Sequence, residues 1–396
     1  MSKKAYLDNS SGMPVLPQVM EAMLPYFSVA YGNPASLHDW GDEASEAVET
    51  ARAQVAGLVN GQEEEIIFTS CGTEANNLAI KGLALANESR GKHIIISAIE
   101  HYSVLHPART LQKRGFEVTF LPVDRWALVD PRDVLKNLRP DTTLVSVMHA
   151  SSEVGTIEPI EEIAAVVKRS GALFHTDAVA TAGAIPVDVQ RLGVDALSLA
   201  GSQFYGPKGT GALWLRSDTS ILPMMEGGVQ EWEKRSGTHN VPGIVGMGKA
   251  AELAAAEMQS RIDQVVPLRD RLIEGVLSRI PHSFLTGHPQ QRLPGHASFC
   301  IQFIEGEAML VFLNSEGVAA ASGSACTARM LKVSHVISAM GMPAELAQGS
   351  IVFTMDIHNT VQDIDHALAV FPTVVERLRH LSPLYSKFLR STGTQG

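Results

Sequence analysis

Seven short runs of mostly apolar residues mark out the first half of the chain. They are Glu65–Thr69, His93–Ser97, Glu117–Pro122, Thr143–His149, Leu173–Asp177, Ala196–Ala200 and Gly211–Arg216. Between them lie amphipathic, helix-like stretches at Glu74–Asn87, Ser103–Arg114, Pro159–Ser170 and Val187–Leu192. Near-continuous apolar runs belong to strands buried on both faces, whereas half-solvated strands alternate. Strand–helix alternation therefore predicts a mainly parallel sheet covered by crossover helices. The expected architecture is doubly wound α/β, with a ligand crevice at the carboxyl ends of the strands.

The pattern changes after about residue 245. Met247–Ile280 reads as one or two long helices, strands return at Ala297–Phe303 and Ile351–Met355, and helices at Glu307–Ser315 and Val361–Leu378. A chain of 396 residues exceeds one ordinary core. We therefore expect a large α/β domain over residues 15–255, and a smaller α+β domain from 1–14 and 256–396. The N-terminal segment packs with the smaller domain or bridges the two. Neither internal repeats nor low-complexity tracts are found, and the tail STGTQG is expected to be disordered.

Composition narrows the partners. A chain that is 45% hydrophobic and 19% charged is ordinary for a soluble globular protein. A net charge of -10 disfavours nucleic acid and anionic membranes, which select basic surfaces. No apolar run reaches the roughly 18 residues of a membrane span. The start, MSKKAYLDNSSG, lacks the apolar segment of a secretory signal. Cys71, Cys300 and Cys326 form no C-x-x-C pair and no disulfide framework, which suits a reducing cytoplasm. The acidic run GQEEEI reads as a solvated turn, and the methionines, Met224 and Met225 included, as fillers of core gaps.

Four loops after expected strands carry the chemistry. SCGTEANNLAIKG opens a helix with small residues; such an N-terminus suits a phosphate, with Thr73 adding a hydroxyl, and equally suits a plain capped helix. AIEHYSVL brings His101 to the same crevice, as a site residue or a structural histidine. HTDAVATAG ends a buried strand on Asp177, and an isolated buried carboxylate must pair, for instance with a heteroaromatic N–H⁺. Last, DALSLAGSQFYGPKG turns sharply on small residues and presents Gln203, a side chain that is neither nucleophile nor base.

Together these loops resemble the cysteine desulfurases, in the class V branch of the fold-type I pyridoxal-phosphate (PLP) enzymes. The resemblance spans nearly the whole chain in family order: YLDNSSG.P at 6–14, GNPAS.H at 32–38, FTSCGTEANNLAIKG at 68–82, EHYSVL at 100–105, VSVMHASSEVGTIEPI at 145–160, HTDA at 175–178, YGPKGTGAL at 205–213, RSGTHNVPGIVGMGKA at 235–250 and ASGSACTA at 321–328. It implies PLP bound covalently to a lysine, L-cysteine as substrate, and a homodimer with composite sites. It further implies a loop cysteine that takes the substrate sulfur as a persulfide and passes it to an acceptor, often an iron–sulfur scaffold protein. By position, His101 matches the histidine stacked on PLP, Asp177 the ring-nitrogen partner and Thr73 a phosphate contact. Thr238 matches a threonine reaching the partner subunit's site, and Cys326 the persulfide cysteine, in a loop of the family's longer type. Arg235 and Asn240 also fall on family-like positions.

The resemblance breaks at the reacting centre. Where the family reads Ser-Gly-His-Lys, this chain reads Ala200-Gly201-Ser202-Gln203, so Gln203 stands at the PLP lysine and Ser202 at its neighbouring histidine. Lys208 belongs to a separate Gly-Pro-Lys-Gly motif. Ala180 replaces a glutamine near the cofactor, Ser152 an asparagine, Val352 the arginine that grips the substrate carboxylate, and Cys71 a glycine. Losing a positioned acid/base alone costs roughly 10²–10⁴-fold in rate. The expectation is a desulfurase-like protein of sulfur or iron–sulfur metabolism, degenerate for PLP-dependent desulfuration and retaining Cys326 for persulfide or partner binding. Alternatives are a PLP enzyme of altered chemistry with the cofactor held non-covalently, and a cluster scaffold using Cys326 with Cys71 or Cys300. Thr73, His101, Asp177, Ser202 and Thr238 are the candidate cofactor residues; His101, Gln203 and Cys326 are the candidate catalytic positions; no metal ligand is assigned.

Overall fold

In the computed structural model, residues 4–323 and 333–392 are described. Their strands, in chain order, are β1 (Ala5–Tyr6), β2 (Ile66–Thr69), β3 (His93–Ser97), β4 (Glu117–Leu121), β5 (Thr142–Ser146), β6 (Leu173–Asp177), β7 (Ala196–Ala200), β8 (Gly211–Leu215), β9 (Ser283–Leu285), β10 (His296–Ile301), β11 (Val318–Ala319) and β12 (Ser350–Thr354). The seven apolar runs of the first half become one seven-stranded sheet ordered β2-β8-β7-β6-β5-β3-β4. Pairings from β7 through β6, β5 and β3 to β4 are parallel, while β8 runs antiparallel to both β7 and β2. The five residues of β3, β5, β7 and β8 are all buried, as continuous apolar runs require. The edge strand β4 is largely exposed and correspondingly mixed in sequence.

The chain lays β4 on one side of β3, then β5, β6 and β7 in succession on the other. The strand order reverses between β3 and β5, which opens a crevice beyond their carboxyl ends. The loops after β3, β5, β6 and β7 therefore meet there.

A second core forms around the antiparallel sheet β12-β10-β9, with the helices Gly306–Ser315 and Val361–Leu381 packed on it. Ala5 and Leu7 from the N-terminal segment lie in this core, and β1 pairs in parallel with β11. The same segment then crosses to the large sheet: the Met13 N–H donates to the Ser202 carbonyl. One helix, Val241–Arg279, joins both cores. Asn240 caps its start by accepting from the Gly243 N–H, and Pro242 occupies the first turn, where its missing N–H is harmless. Ile244, Met247, Ala251 and Ala254 face the first core; Val265, Leu268, Leu272 and Val276 face the second.

Several expectations are corrected. Val187–Leu192 shrinks to a single turn, Val189–Leu192, because Asp188 caps it and Gly193 ends it in the left-handed region. Glu65 in the acidic run is buried, since the β2–β8 register sets Trp214 beside it and the indole N–H donates to its carboxylate at 2.8 Å. Met224 and Met225 fill no core gap; they are 39% and 47% exposed on the stretch after β8. The tail is helical through Thr392, within Pro383–Thr392, and 393–396 lie outside the described residues.

Candidate functional site

The crevice holds a cleft of about 220 Å³ that brings together Thr73, His101, Asp177, Ser202 and Gln203. Each arrives as the local sequence dictates. Thr73 lies in the first turn of the helix Gly72–Asn77, which runs on through a wider turn at Leu78–Gly82 into Leu83–Ala86. His101 caps the helix Tyr102–Gln112, Asp177 ends β6, and Ser202 and Gln203 form a 3₁₀ turn after β7. Glycine is required at this turn: a Cβ on Gly201 would stand 2.5 Å from the Thr210 hydroxyl.

Asp177 is buried and paired. Its Oδ1 accepts from the Val179 N–H at 2.9 Å, and its Oδ2 from Asn76 Nδ2 at 2.6 Å. Burial raises its pKa, opposed by the Val179 N–H, the His101 charge and Asn76. The same Asn76 nitrogen donates to Ser103 Oγ at 2.8 Å, and Ser103 Oγ lies 2.6 Å from His101 Nδ1. The Ser103 backbone N–H also donates to His101 Nδ1, so a neutral His101 carries its proton on Nε2. His101 and Asp177 are thus ends of one hydrogen-bonded chain through Ser103 and Asn76. Asn76 Oδ1 has no partner, although it is buried against the cleft.

Gln203 does not point idly. Its Nε2 donates to the Ser10 carbonyl at 3.0 Å, tying the presenting loop to the N-terminal segment. No lysine lines the cleft among the described residues, and Lys208 is exposed beside Gly12.

A second cleft, about 200 Å³, adjoins the first through Ser10, His101, Met148 and Ser152. Glu100, Glu153, His335 and Val352 line it. Glu100 accepts from Ser97 Oγ and the Met148 N–H, both at 2.7 Å, while its Oε2 is buried without a partner. Burial pushes its pKa to about 8. Glu153 sits in the turn Ser151–Gly155, closed by the Gly155 N–H to the Ser151 carbonyl. Burial pushes it to about 7 against a short hydrogen bond from Ser334. His335 donates from Nε2 to the Glu100 carbonyl at 2.9 Å, and its Nδ1 is buried and unpartnered.

Other expected residues fall elsewhere. Thr238 is exposed and lines neither cleft. Arg235 pairs with Glu74 at 2.8 Å, and Asn240 is the helix cap already described. Cys326 lies outside the described residues. Cys300 is wholly buried in β10, its thiol pushed up to about 12 by burial; Cys71 borders the first cleft. Ala180, Ser152 and Val352, three of the departures from family pattern, all line the joined clefts.

Sequence reasoning missed Asn76, Ser103, Glu100, Glu153, His335 and Ser10. Asn76 lies one helical turn after Thr73, so its placement was available from spacing. Glu153 and His335 reach the clefts by long-range packing and left no local signal.

The residues from 5 to 367 match the model of the aminotransferase class-V family. The chain belongs to that family, on its cysteine desulfurase branch. It is 47% identical over 390 residues to the cysteine desulfurase IscS of Methanosarcina thermophila, covering 98% of this chain and 96% of that one. It is 49% identical to the cysteine desulfurase IscS of Dictyoglomus turgidum, covering 97% of each chain. Among solved structures it is similar to a NifS-like protein, at 35% identity and a TM-score of 0.89, over 95% of this chain and 100% of that one. These likenesses support a place in sulfur metabolism and a PLP-type fold. No helix among the described residues is long and apolar enough to cross a membrane.

Proposed function

We propose that this chain is a cysteine-desulfurase homologue of sulfur or iron–sulfur metabolism that has given up covalent PLP chemistry and holds the cofactor non-covalently. The observation that carries this reading is Gln203: it occupies the presenting position, and its amide is engaged with the Ser10 carbonyl. An amide forms no imine and moves no proton at neutral pH.

The donor set fits the rest of PLP. Asp177, buried at the cleft wall, suits a protonated ring nitrogen, and His101 suits the ring face. Thr73, Ser202 and the first helical turn suit the phosphate. When bound, PLP supplies an electron sink for an amine substrate. The protein's share is then to orient: the Asn76–Ser103 chain holds Asp177 and His101 in one register, and the Gln203–Ser10 bond closes the cleft floor. Cys326 is the proposed persulfide or partner-binding cysteine in the same reading, and a sulfur-acceptor or iron–sulfur scaffold protein its proposed partner. The exposed position of Thr238 supports a homodimer in which it completes the neighbour's cleft. The two-domain division at about residue 255, and a cytoplasmic location, belong to the same proposal.

The test is the absorbance of the purified protein with added PLP, before and after dialysis, beside the Gln203→Lys variant. Wild type should bind PLP and release it on dialysis; Gln203→Lys should retain it with a shifted visible band. Robust release of sulfide and alanine from L-cysteine by the wild type would overturn the loss of desulfuration. Cofactor that survives dialysis would overturn non-covalent binding.

A further inference from the structure

A third cleft, of about 80 Å³, lies beside Gln203. It adjoins the first at Ser10, Ser152, Ala180 and Gln203, which border both. Beyond that largely polar rim the lining changes character. Met13, Ala184, Leu293, Pro294 and Met355 wall the space, and none of them borders the other two clefts. They come from the N-terminal segment, the turns after β6, the approach to β10 and the end of β12.

The polar side chains deeper in this cleft are engaged with the protein itself. Asn9 Nδ2 donates to the Thr354 carbonyl at 2.8 Å and to Asn359 Oδ1 at 3.1 Å. Thr354 Oγ1 accepts from the Ser10 N–H at 2.8 Å. His296 donates from Nε2 to the Ser152 carbonyl at 2.9 Å. Its Nδ1 is buried against Gly155, where a Cβ would stand 2.6 Å away. Burial lowers the His296 pKa to about 3, so the ring is an uncharged wall. A water needs two to four polar partners to settle in a cavity, and these groups offer it few. An apolar group meets no such penalty and leaves water behind on entering. At about 30 Å³ for each water-sized group, the space holds two or three non-hydrogen atoms.

We propose that this cleft is a specificity pocket for the apolar tail of a small amino acid or amine whose polar end lies at the Ser10–Ser152–Gln203 rim. The tail is a straight alkyl or thioether chain of about three atoms. The proposal rests on reading the joined clefts as the ligand site of this desulfurase homologue. It deepens that reading by assigning a side chain longer and less polar than that of cysteine.

Isothermal titration on the full-length protein, PLP-free and PLP-loaded, tests it with L-alanine, L-norvaline, L-homoserine and L-norleucine. Two further buried methylenes should make L-norvaline bind roughly tenfold tighter than L-alanine. L-homoserine has the same length but ends in a hydroxyl, and should bind no tighter than L-alanine. L-norleucine should gain nothing over L-norvaline, because the space is used up. Ala184→Leu fills the pocket from one wall and should abolish the preference for L-norvaline over L-alanine. Met13→Ala keeps the backbone bond to Ser202, enlarges the space and should move the tightest binding to L-norleucine. Equal binding of L-norvaline and L-alanine by the wild type overturns the proposal, as does failure of the whole series to bind. A preference for L-norvaline that survives in a folded Ala184→Leu variant overturns it as well. PLP absorbance recorded on the same samples separates the two readings. If PLP does not bind, the cofactor assignment fails, while the tail preference of the PLP-free protein still stands or falls on the titrations.

Discussion

Glu100 shows how one residue's surroundings become a property of the whole protein. Its folded pKa of about 8 stands above the ordinary 4.5 because burial penalises the charged form, and Asp177 nearby reinforces this. A raised carboxyl pKa contributes stability that is present below about pH 4.5 and is lost as pH rises through about 8. Glutamine mimics the protonated form: it keeps an acceptor for Ser97 and Met148 and presents N–H where the carboxyl proton stood. Glu100→Gln should therefore flatten the fall in stability between about pH 5.5 and about pH 8.5, by up to roughly 1.4 kcal/mol per pH unit. Urea unfolding at the two pH values measures it. Glu153, Glu158 and Asp177 are raised too, so part of the slope should survive. An unaltered slope in the variant would show that Glu100 is not the titrating group.

At the scale of elements, the segment carrying Thr238 is held by a buried ion pair. Glu231, Trp232 and Glu233 follow one another in the left-handed region, at φ of 49°, 53° and 64°. Non-glycine residues disfavour that conformation. Arg52, from the helix Asp39–Leu58, grips Glu231 with two nitrogens at 2.8 and 2.9 Å. Its guanidinium packs against the rings of Phe68 and Trp232. Burial works to raise the Glu231 pKa, yet hydrogen bonds from Arg52 and His239 hold it at about 2. Arg52→Met fills the same space and leaves a carboxylate whose side chain is 1% exposed without its cation, with the His239 imidazole and the Phe68 N–H as its remaining partners. It should cost about 3–5 kcal/mol in denaturant unfolding. It should also speed proteolysis within 229–240, and a loss below about 1 kcal/mol would show that the strained turn supports itself.

Across the whole molecule, coupling runs through Val241–Arg279, the helix that contributes to both cores. Ser260 lies exposed on it, between the face that meets the large sheet and the face that meets the small one. Proline there removes a backbone donor and clashes with the preceding turn, at about 3 kcal/mol. Ser260→Pro should split a single calorimetric unfolding transition into two, with the β12-β10-β9 core melting first. One unsplit transition at lower temperature would mean that the N-terminal segment, which pairs β1 with β11 and reaches Gln203, suffices to couple the cores.

The elements were legible in the residues alone, because apolar periodicity is a local property. Three of the seven expected strands of the large sheet, those at residue 93, 173 and 196, match to the residue, and the others within a residue or three at an end. The same pattern brought Thr73, His101, Asp177 and Gln203 to strand ends on one edge, since loops at a parallel sheet's carboxyl ends converge. Glu65 misled because its burial depends on Trp214, 149 residues away. The role of Gln203 emerged only on folding, since the Ser10 carbonyl lies 193 residues off in sequence. Folding likewise gathered Glu100, Glu153 and His335 around one cleft. Charge in a cavity is the sum over side chains from distant segments, and no local pattern encodes that sum.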